Sequence, residues 1–229
     1  MANLETFRNL HAGQRCVIVC NGPSLNGMDL DFLRDEVVFG LNKIYLGLEK
    51  FRFYPRYLVA VNEMVIAQAA SALRAMTAIK FIGQRGTHHL SEDAFTCHIA
   101  TIKPPDRFCR DITKGVHEGG TVTYAALQIA YYMGFTEVWI IGMDHRFVFQ
   151  GRPNQPQVMQ GPDPNHFSPD YFQGHAWNNP DLALSEKSYE IARDIFASEG
   201  RRILDATTGG ACRIFERADY RAIPKVPRG

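Results

Sequence analysis

The pentapeptide Asn21-Gly22-Pro23-Ser24-Leu25 directly follows an unbroken apolar run, Cys16-Val17-Ile18-Val19-Cys20. A strand that runs into such a turn presents backbone N–H groups at its carboxyl end, where a phosphate can sit. Gly22 lets a ligand approach the chain, Pro23 fixes φ, and Ser24 can cap a following helix and donate to a phosphoryl oxygen. The run is neither the Gly-Lys-Ser/Thr phosphate loop nor a GxGxxG dinucleotide turn. Taken alone it also reads as a plain turn with a helix cap.

Position strengthens the signal. Asn21, Asn42 and Asn62 each follow an apolar run, so three carboxamides fall at successive strand ends. A carboxamide donates and accepts, which suits a ribose, a base edge or a sugar. Gly119-Gly120-Thr121 opens an Ala-rich helical stretch, and an unobstructed helix N-terminus favours an anion. Gly120 and Thr121 therefore join the candidate nucleotide-binding residues. Asp144, after the run Val138-Trp139-Ile140-Ile141, is either a turn carboxylate or a group that orients a hydroxyl or holds Mg²⁺. His166 and His175 lie in a proline-rich stretch with Phe167, Tyr171, Phe172 and Trp177, and histidine is the usual acid or base at neutral pH. His88, His89 and His98 match no zinc helix spacing, so no metal site is expected from them.

These residues need a scaffold that brings strand ends together. Besides the two runs above, Val37–Leu41, Tyr57–Val61 and Ile79–Ile82 read as strands, with helices over Met64–Met76, Thr121–Met133 and Asp181–Glu199. Apolar runs without polar alternation suit strands covered on both faces. The expectation is a single Rossmann-like α/β domain over residues 1–229, a doubly wound, mostly parallel sheet. Strand order across 83–117, which includes Pro104 and Pro105, stays open. Residues 145–180 hold six prolines and read as a long lid loop. Hydrophobic residues make up 45% and charged ones 21%, and 25 Lys+Arg against 24 Asp+Glu leave a net charge of +1. That balance argues against a polybasic nucleic-acid or membrane-surface protein. No apolar run reaches membrane-span length, and five cysteines without a CxxC pair read as buried free thiols in a cytoplasmic protein.

Taken together over about residues 14–215, these motifs resemble two related groups. One is the bacterial sialyltransferase family (glycosyltransferase family 42), and the other is the 6-hydroxymethylpterin diphosphokinase MptE-like family. The first resemblance implies that Asn21, Ser24, Asn42 and Asn62 hold a cytidine nucleotide-sugar donor, with Thr121 nearby. It also implies that His175, in Gly174-His175-Ala176-Trp177, deprotonates the acceptor. That family places two tyrosines after the Gly-x-Asp strand end. Here His145-Arg146-Phe147-Val148-Phe149 stands instead, so Arg146 would meet the departing phosphate. The Asn165-His166-Phe167 run and Ala206-Thr207-Thr208-Gly209-Gly210 look closer to the second group, which implies ATP, Mg²⁺ and Asp144 as a metal ligand. The expected function is a nucleotide-sugar-dependent glycosyltransferase of surface glycan synthesis. An ATP-dependent diphosphokinase and a non-catalytic nucleotide-binding protein are the alternatives. Expected partners are the donor and a small-molecule or glycan acceptor, with no tightly bound cofactor and no nucleic acid, and a homo-oligomer left open.

Overall fold

The computed structural model describes residues 3–102 and 107–225. Pro104 and Pro105 lie outside them. The strands are β1 (Arg15–Val19), β2 (Val38–Leu41), β3 (Tyr57–Ala60), β4 (Ile79–Gly83), β5 (Thr96–Ile99), β6 (Thr101–Ile102), β7 (Val116–His117), β8 (Glu137–Ile141), β9 (Pro156–Val158), β10 (Ala176–Asn178), β11 (Arg202–Asp205) and β12 (Glu216–Arg217). The α-helices are α1 (Leu48–Phe51), α2 (Glu63–Ala75), α3 (Val122–Tyr132) and α4 (Leu182–Ala197).

Eight strands form one sheet in the order β12-β11-β8-β1-β2-β3-β4-β5, and every pairing in it is parallel. The chain steps outward from β1 to β5, then returns to place β8 on the other side of β1. The loops leaving β1 and β8 therefore diverge, which opens a crevice at their carboxyl ends. Every residue of β1, β2 and β3 is buried, as expected of strands covered on both faces. Ile18, Phe39 and Tyr57 face α3 and α4 on one side, while Val17, Val19 and Leu58 face α2 and the aromatics of the 145–180 segment on the other. The doubly wound α/β fold expected from the apolar runs is the one found. The stretch 83–117 contributes β5 at the sheet edge and the small β6–β7 ladder.

Each long helix starts on a side-chain cap that accepts from one or two of its first N–H groups. Asn62 Oδ1 accepts from Met64 N at 2.9 Å, Thr121 Oγ1 from Thr123 N at 3.3 Å, and Asp181 Oδ1 from Leu184 N at 3.0 Å. The turn after β1 departs from expectation. Its helix is a 3₁₀ turn, Pro23–Gly27, and Pro23 occupies the first helical position, so Gly22 and not Ser24 stands at the cap.

Residues 145–180 contain no helix but are packed. Asn165 is buried and spans the loop, accepting from Val148 N at 2.6 Å and donating to Val148 O at 3.1 Å. Asn179 donates to Gln150 O and Arg152 O and accepts from Gln157. Phe167, Tyr171, Phe172 and Trp177 are buried against the sheet-covering elements. All five cysteines are free thiols, four of them buried. No described helix is long and apolar enough to cross a membrane.

Candidate functional site

A cavity of about 620 Å³ opens at the carboxyl ends of β1, β2, β3 and β8, where the topology reverses. The N-terminal ends of α2, α3 and α4 border it, and His166, Phe172, Trp177 and Asn179 of the 145–180 segment form one wall. Of the residues singled out in the sequence, Asn21, Gly22, Asn42, Asn62, Gly120, Thr121, Asp144, Arg146 and His166 line it. Pro23, Ser24 and His175 do not.

The pairing of β1 with β2 (Val19 opposite Gly40) brings the first two asparagines side by side. Asn21 donates through Nδ2 to Leu41 O at 3.1 Å, which turns its oxygen away from that carbonyl. Asn42, at φ +49°, sits in the left-handed region that Asn tolerates. Its side chain lies beside the Tyr171 phenol, a group that burial pushes well above its ordinary range. The result is two buried amide oxygens, Asn21 Oδ1 and Asn42 Oδ1, with no hydrogen-bond partner among the described residues. An unpaired buried acceptor costs about 1–3 kcal/mol, which makes Asn21 and Asn42 candidates for contact with a ligand donor. Asn62 is different: it is exposed, and its oxygen is committed to the α2 cap.

Gly22, Ser24 and Asp144 form a unit. Ser24 donates its hydroxyl to Asp144 Oδ2 at 2.7 Å and its N–H to Asp144 Oδ1 at 3.1 Å. A Cβ on Gly22 would stand 1.8 Å from Asp144 Oδ2 and 2.6 Å from Gly142 O. The missing side chain at 22 thus makes room for this chain's own carboxylate, and the Ser24 hydroxyl expected on a phosphoryl oxygen is bound to Asp144. The other carboxylate bordering the cavity, Glu118, is paired with Arg85.

Gly119 (φ +53°) and Gly120 (φ +72°) are both left-handed, and this lets the chain turn sharply into Thr121 and bring the N-terminal end of α3 to the cavity, with Thr123 N–H held by Thr121 Oγ1 and Tyr124 N–H by Thr121 O. Arg146, exposed at the rim, has no hydrogen-bonded or ionic partner among the described residues. The groups at the cavity that suit an anion are therefore a helix N-terminus and an uncommitted guanidinium.

The three histidines of this region separate clearly. His166 lies on the cavity wall, stacked on Tyr171 with ring centroids 3.9 Å apart. Its Nδ1 bonds Asp163 Oδ2 at 2.8 Å, and the Asp163 side chain is fully buried and also accepts from Asn165 N at 2.8 Å. A carboxylate on Nδ1 fixes the proton there and leaves Nε2 as the basic nitrogen. Lys43 lies beneath this wall, with Nζ donating to Tyr171 O and Gln68, and burial lowers its pKa to about 8 against the attraction of Asp163. His145, which sequence reasoning did not single out, also lines the cavity, held at φ +53° with Nε2 3.0 Å from Glu186. His175 is exposed and outside the cavity lining. Asp163 was also missed; its only sequence signal is the i, i+3 spacing to His166, a weak one in a loop.

Two comparisons bear on this arrangement. By shape, the chain resembles the MAf glycosyltransferase from Magnetospirillum magneticum AMB-1, with a TM-score of 0.57 and 13% identity. The likeness covers 96% of this chain but 38% of that one, and at such identity it speaks for the fold. No curated protein matches the sequence. The model of the 6-hydroxymethylpterin diphosphokinase MptE-like family matches residues 1–149, from the first strand through Asp144 and Arg146. That match, on a chain whose strand ends carry the motifs first read as a resemblance, places the protein in the MptE-like family.

Proposed function

We propose that this protein is a nucleotide-dependent transferase that moves a glycosyl group from a nucleotide-sugar, CMP-linked, to an acceptor hydroxyl. The observation that carries this reading is the Asp163–His166 pair on the wall of a cavity also lined by Asn21 and Asn42, whose amide oxygens lack partners, and by the N-terminal end of α3. About 620 Å³ is within the usual size of a site for a nucleotide-scale ligand. Asn21 and Asn42 accept from donor hydroxyl or amino groups, and the nucleoside phosphate lies against the α3 N-terminus and Arg146. His166 Nε2 takes the proton of the acceptor hydroxyl, whose oxygen bonds to the sugar carbon as the carbon–phosphate oxygen bond breaks. The departing phosphate carries the electron pair, and its charge meets the positive end of α3 and Arg146. The 145–180 wall acts as a lid that excludes water from the reacting carbon.

A second reading, pyrophosphoryl transfer from ATP, is favoured by the family match and by the position of His166 in the run that resembles the diphosphokinases. It would require Mg²⁺ near Asp144. Both oxygens of Asp144 already accept from Ser24, and Glu118 is paired with Arg85, so the donor set fits a carboxylate-held Mg²⁺ poorly. The test is a thermal-shift panel of CMP, CDP, UDP, GDP and ATP with and without Mg²⁺. CMP should stabilise without Mg²⁺, by about 2.7 kcal/mol at a hundred times its Kd. Stabilisation by ATP alone, and only with Mg²⁺, would replace this reading with the second.

A further inference from the structure

Outside the cavity, the fold gathers a second set of chemistry-bearing side chains that the transfer does not use. Glu63 is the first residue of α2, and His88 and His89 lie in the loop after β4. One ligand atom of each lies within 4.8 Å of the other two. His88 Nε2 is 3.5 Å from Glu63 Oε1, and the two imidazole centroids are 3.9 Å apart. We propose that Glu63, His88 and His89 form a binding site for a zinc-class divalent cation beside the mouth of the cavity.

The chemistry of the set selects the ion. Two imidazole nitrogens and one carboxylate oxygen suit Zn²⁺ and its neighbours Co²⁺ and Ni²⁺, whereas Mg²⁺ and Ca²⁺ require oxygen ligands throughout. Adjacent ligand atoms around tetrahedral zinc stand about 3.3 Å apart for bonds of about 2.0 Å, so the side chains close by small rotations. Three protein ligands leave a position for water or an anionic oxygen, the arrangement of open rather than sealed zinc sites.

The loop that carries the histidines is not loose. Gly86 packs on Ile66 so closely that a Cβ would stand 2.5 Å from Ile66 Cδ1. His89 donates its N–H to Gly86 O at 3.0 Å, and Arg74 donates to His89 O at 3.1 Å. Both anchors, Ile66 and Arg74, belong to α2, the helix that begins with Glu63. The three ligands therefore ride on one packed unit, and the Glu63 carboxylate offsets the positive end of α2 that would otherwise repel a cation. Asn62, Met64 and Arg85, which line the cavity, flank these residues in the chain, so the open position lies near the site of transfer without belonging to it.

The test uses the tag-free full chain, titrated with Zn²⁺ by calorimetry and with Co²⁺ by visible absorption. One equivalent should bind, with a tetrahedral or five-coordinate Co²⁺ spectrum, and tenfold excess Mg²⁺ should not displace it. His88→Ala, His89→Ala and Glu63→Gln should each weaken binding at least tenfold while circular dichroism and melting temperature without metal stay unchanged. The absence of stoichiometric binding would overturn the site. Binding that survives the His88→Ala/His89→Ala pair would overturn it equally, by assigning the metal to other histidines. Should a variant fail to fold, chemical modification of wild-type histidines decides: zinc should protect His88 and His89, and their unprotected labelling refutes the proposal.

Discussion

Replacing Asp163 by Asn tests the proposed base without removing it. The Asp163 carboxylate is fully buried and accepts two hydrogen bonds, from His166 Nδ1 at 2.8 Å and from Asn165 N at 2.8 Å. Asparagine supplies one acceptor and one donor to the same two partners. If its oxygen faced His166, its NH₂ would face the buried Asn165 N–H, and that unpaired donor would cost about 1–3 kcal/mol. If its oxygen instead accepts from Asn165, its NH₂ donates to Nδ1, every buried group stays paired, and the imidazole proton moves to Nε2. The second arrangement wins, and Nε2 changes from acceptor to donor. The base is lost although the ring stays in place. Loss of a general base lowers turnover by about 10²–10⁴, or roughly 3–5 kcal/mol of activation free energy. Donor affinity should remain within about twofold, because Asn21, Asn42 and the α3 end are untouched. Nitrogen NMR of the imidazole reads the tautomer directly: proton on Nδ1 in wild type, on Nε2 in Asp163→Asn. The same tautomer in both proteins, or unchanged turnover in folded Asp163→Asn, would refute the assignment. His175→Ala serves as the contrast and should leave turnover nearly intact, since that ring is exposed and off the cavity.

Gly22→Ala pushes a Cβ into Asp144 Oδ2, so the Ser24–Asp144 bonds must break; stability should fall by about 2 kcal/mol in denaturant titrations, with nucleotide affinity falling alongside. Asn42→Gly keeps the left-handed backbone at φ +49° and removes one orphan acceptor, so nucleotide affinity should drop about fivefold with little change in melting temperature. Asn42→Ala should lose a further ~1 kcal/mol of stability from backbone strain, and equal stability of the two variants would contradict the geometry. Lys43 has a folded pKa of about 8, below its ordinary 10.5. Between those values the unfolded chain binds more protons, so this residue makes stability rise with pH across that window. Lys43→Met should flatten that rise relative to wild type, and an unchanged slope would show that the amine is not desolvated.

How much could be read from the chain alone depended on burial. Cys16–Cys20 and Val138–Ile141 announced themselves as strands because both faces of β1 and β8 are covered, which demands apolar residues at every position. β5, with Thr96, Cys97, His98 and Ile99, lies at the sheet edge, where one neighbour is missing and polar residues are tolerated, and its pattern was silent. Parallel register made Asn21 and Asn42 neighbours, and counting residues from each strand was enough to see it. The roles were harder. Asn62 stands one residue before a helix, and the cap reading that explains its oxygen was available from that position alone. Asp163 and His166 meet in a proline-rich loop with no period to reveal which residues face inward, so only the folded loop separates His166 from His175.

The turn after β1 carries the largest revision, and it changes what the family match means. Read as a string, Asn21-Gly22-Pro23-Ser24 looked like a cradle for a ligand phosphate. In the fold, Gly22 yields its space to Asp144 and Ser24 binds that carboxylate with both its N–H and its hydroxyl. The turn is a clasp between the ends of β1 and β8, the two strands that flank the topological switch. A clasp there holds Asn21 against the Leu41 carbonyl, with its buried oxygen left unpartnered. The matched region, residues 1–149, contains this clasp and both orphan acceptors, but stops before Asp163 and His166. On the proposed function, the residues inside the match would build the place where a donor binds, and the proposed proton-moving pair belongs to the segment beyond it. Substitutions in the clasp should therefore act first on ligand affinity, and substitutions in the 145–180 wall on turnover. A loop exchange confined to 145–180 that changed donor affinity while sparing turnover would invert this division and refute it.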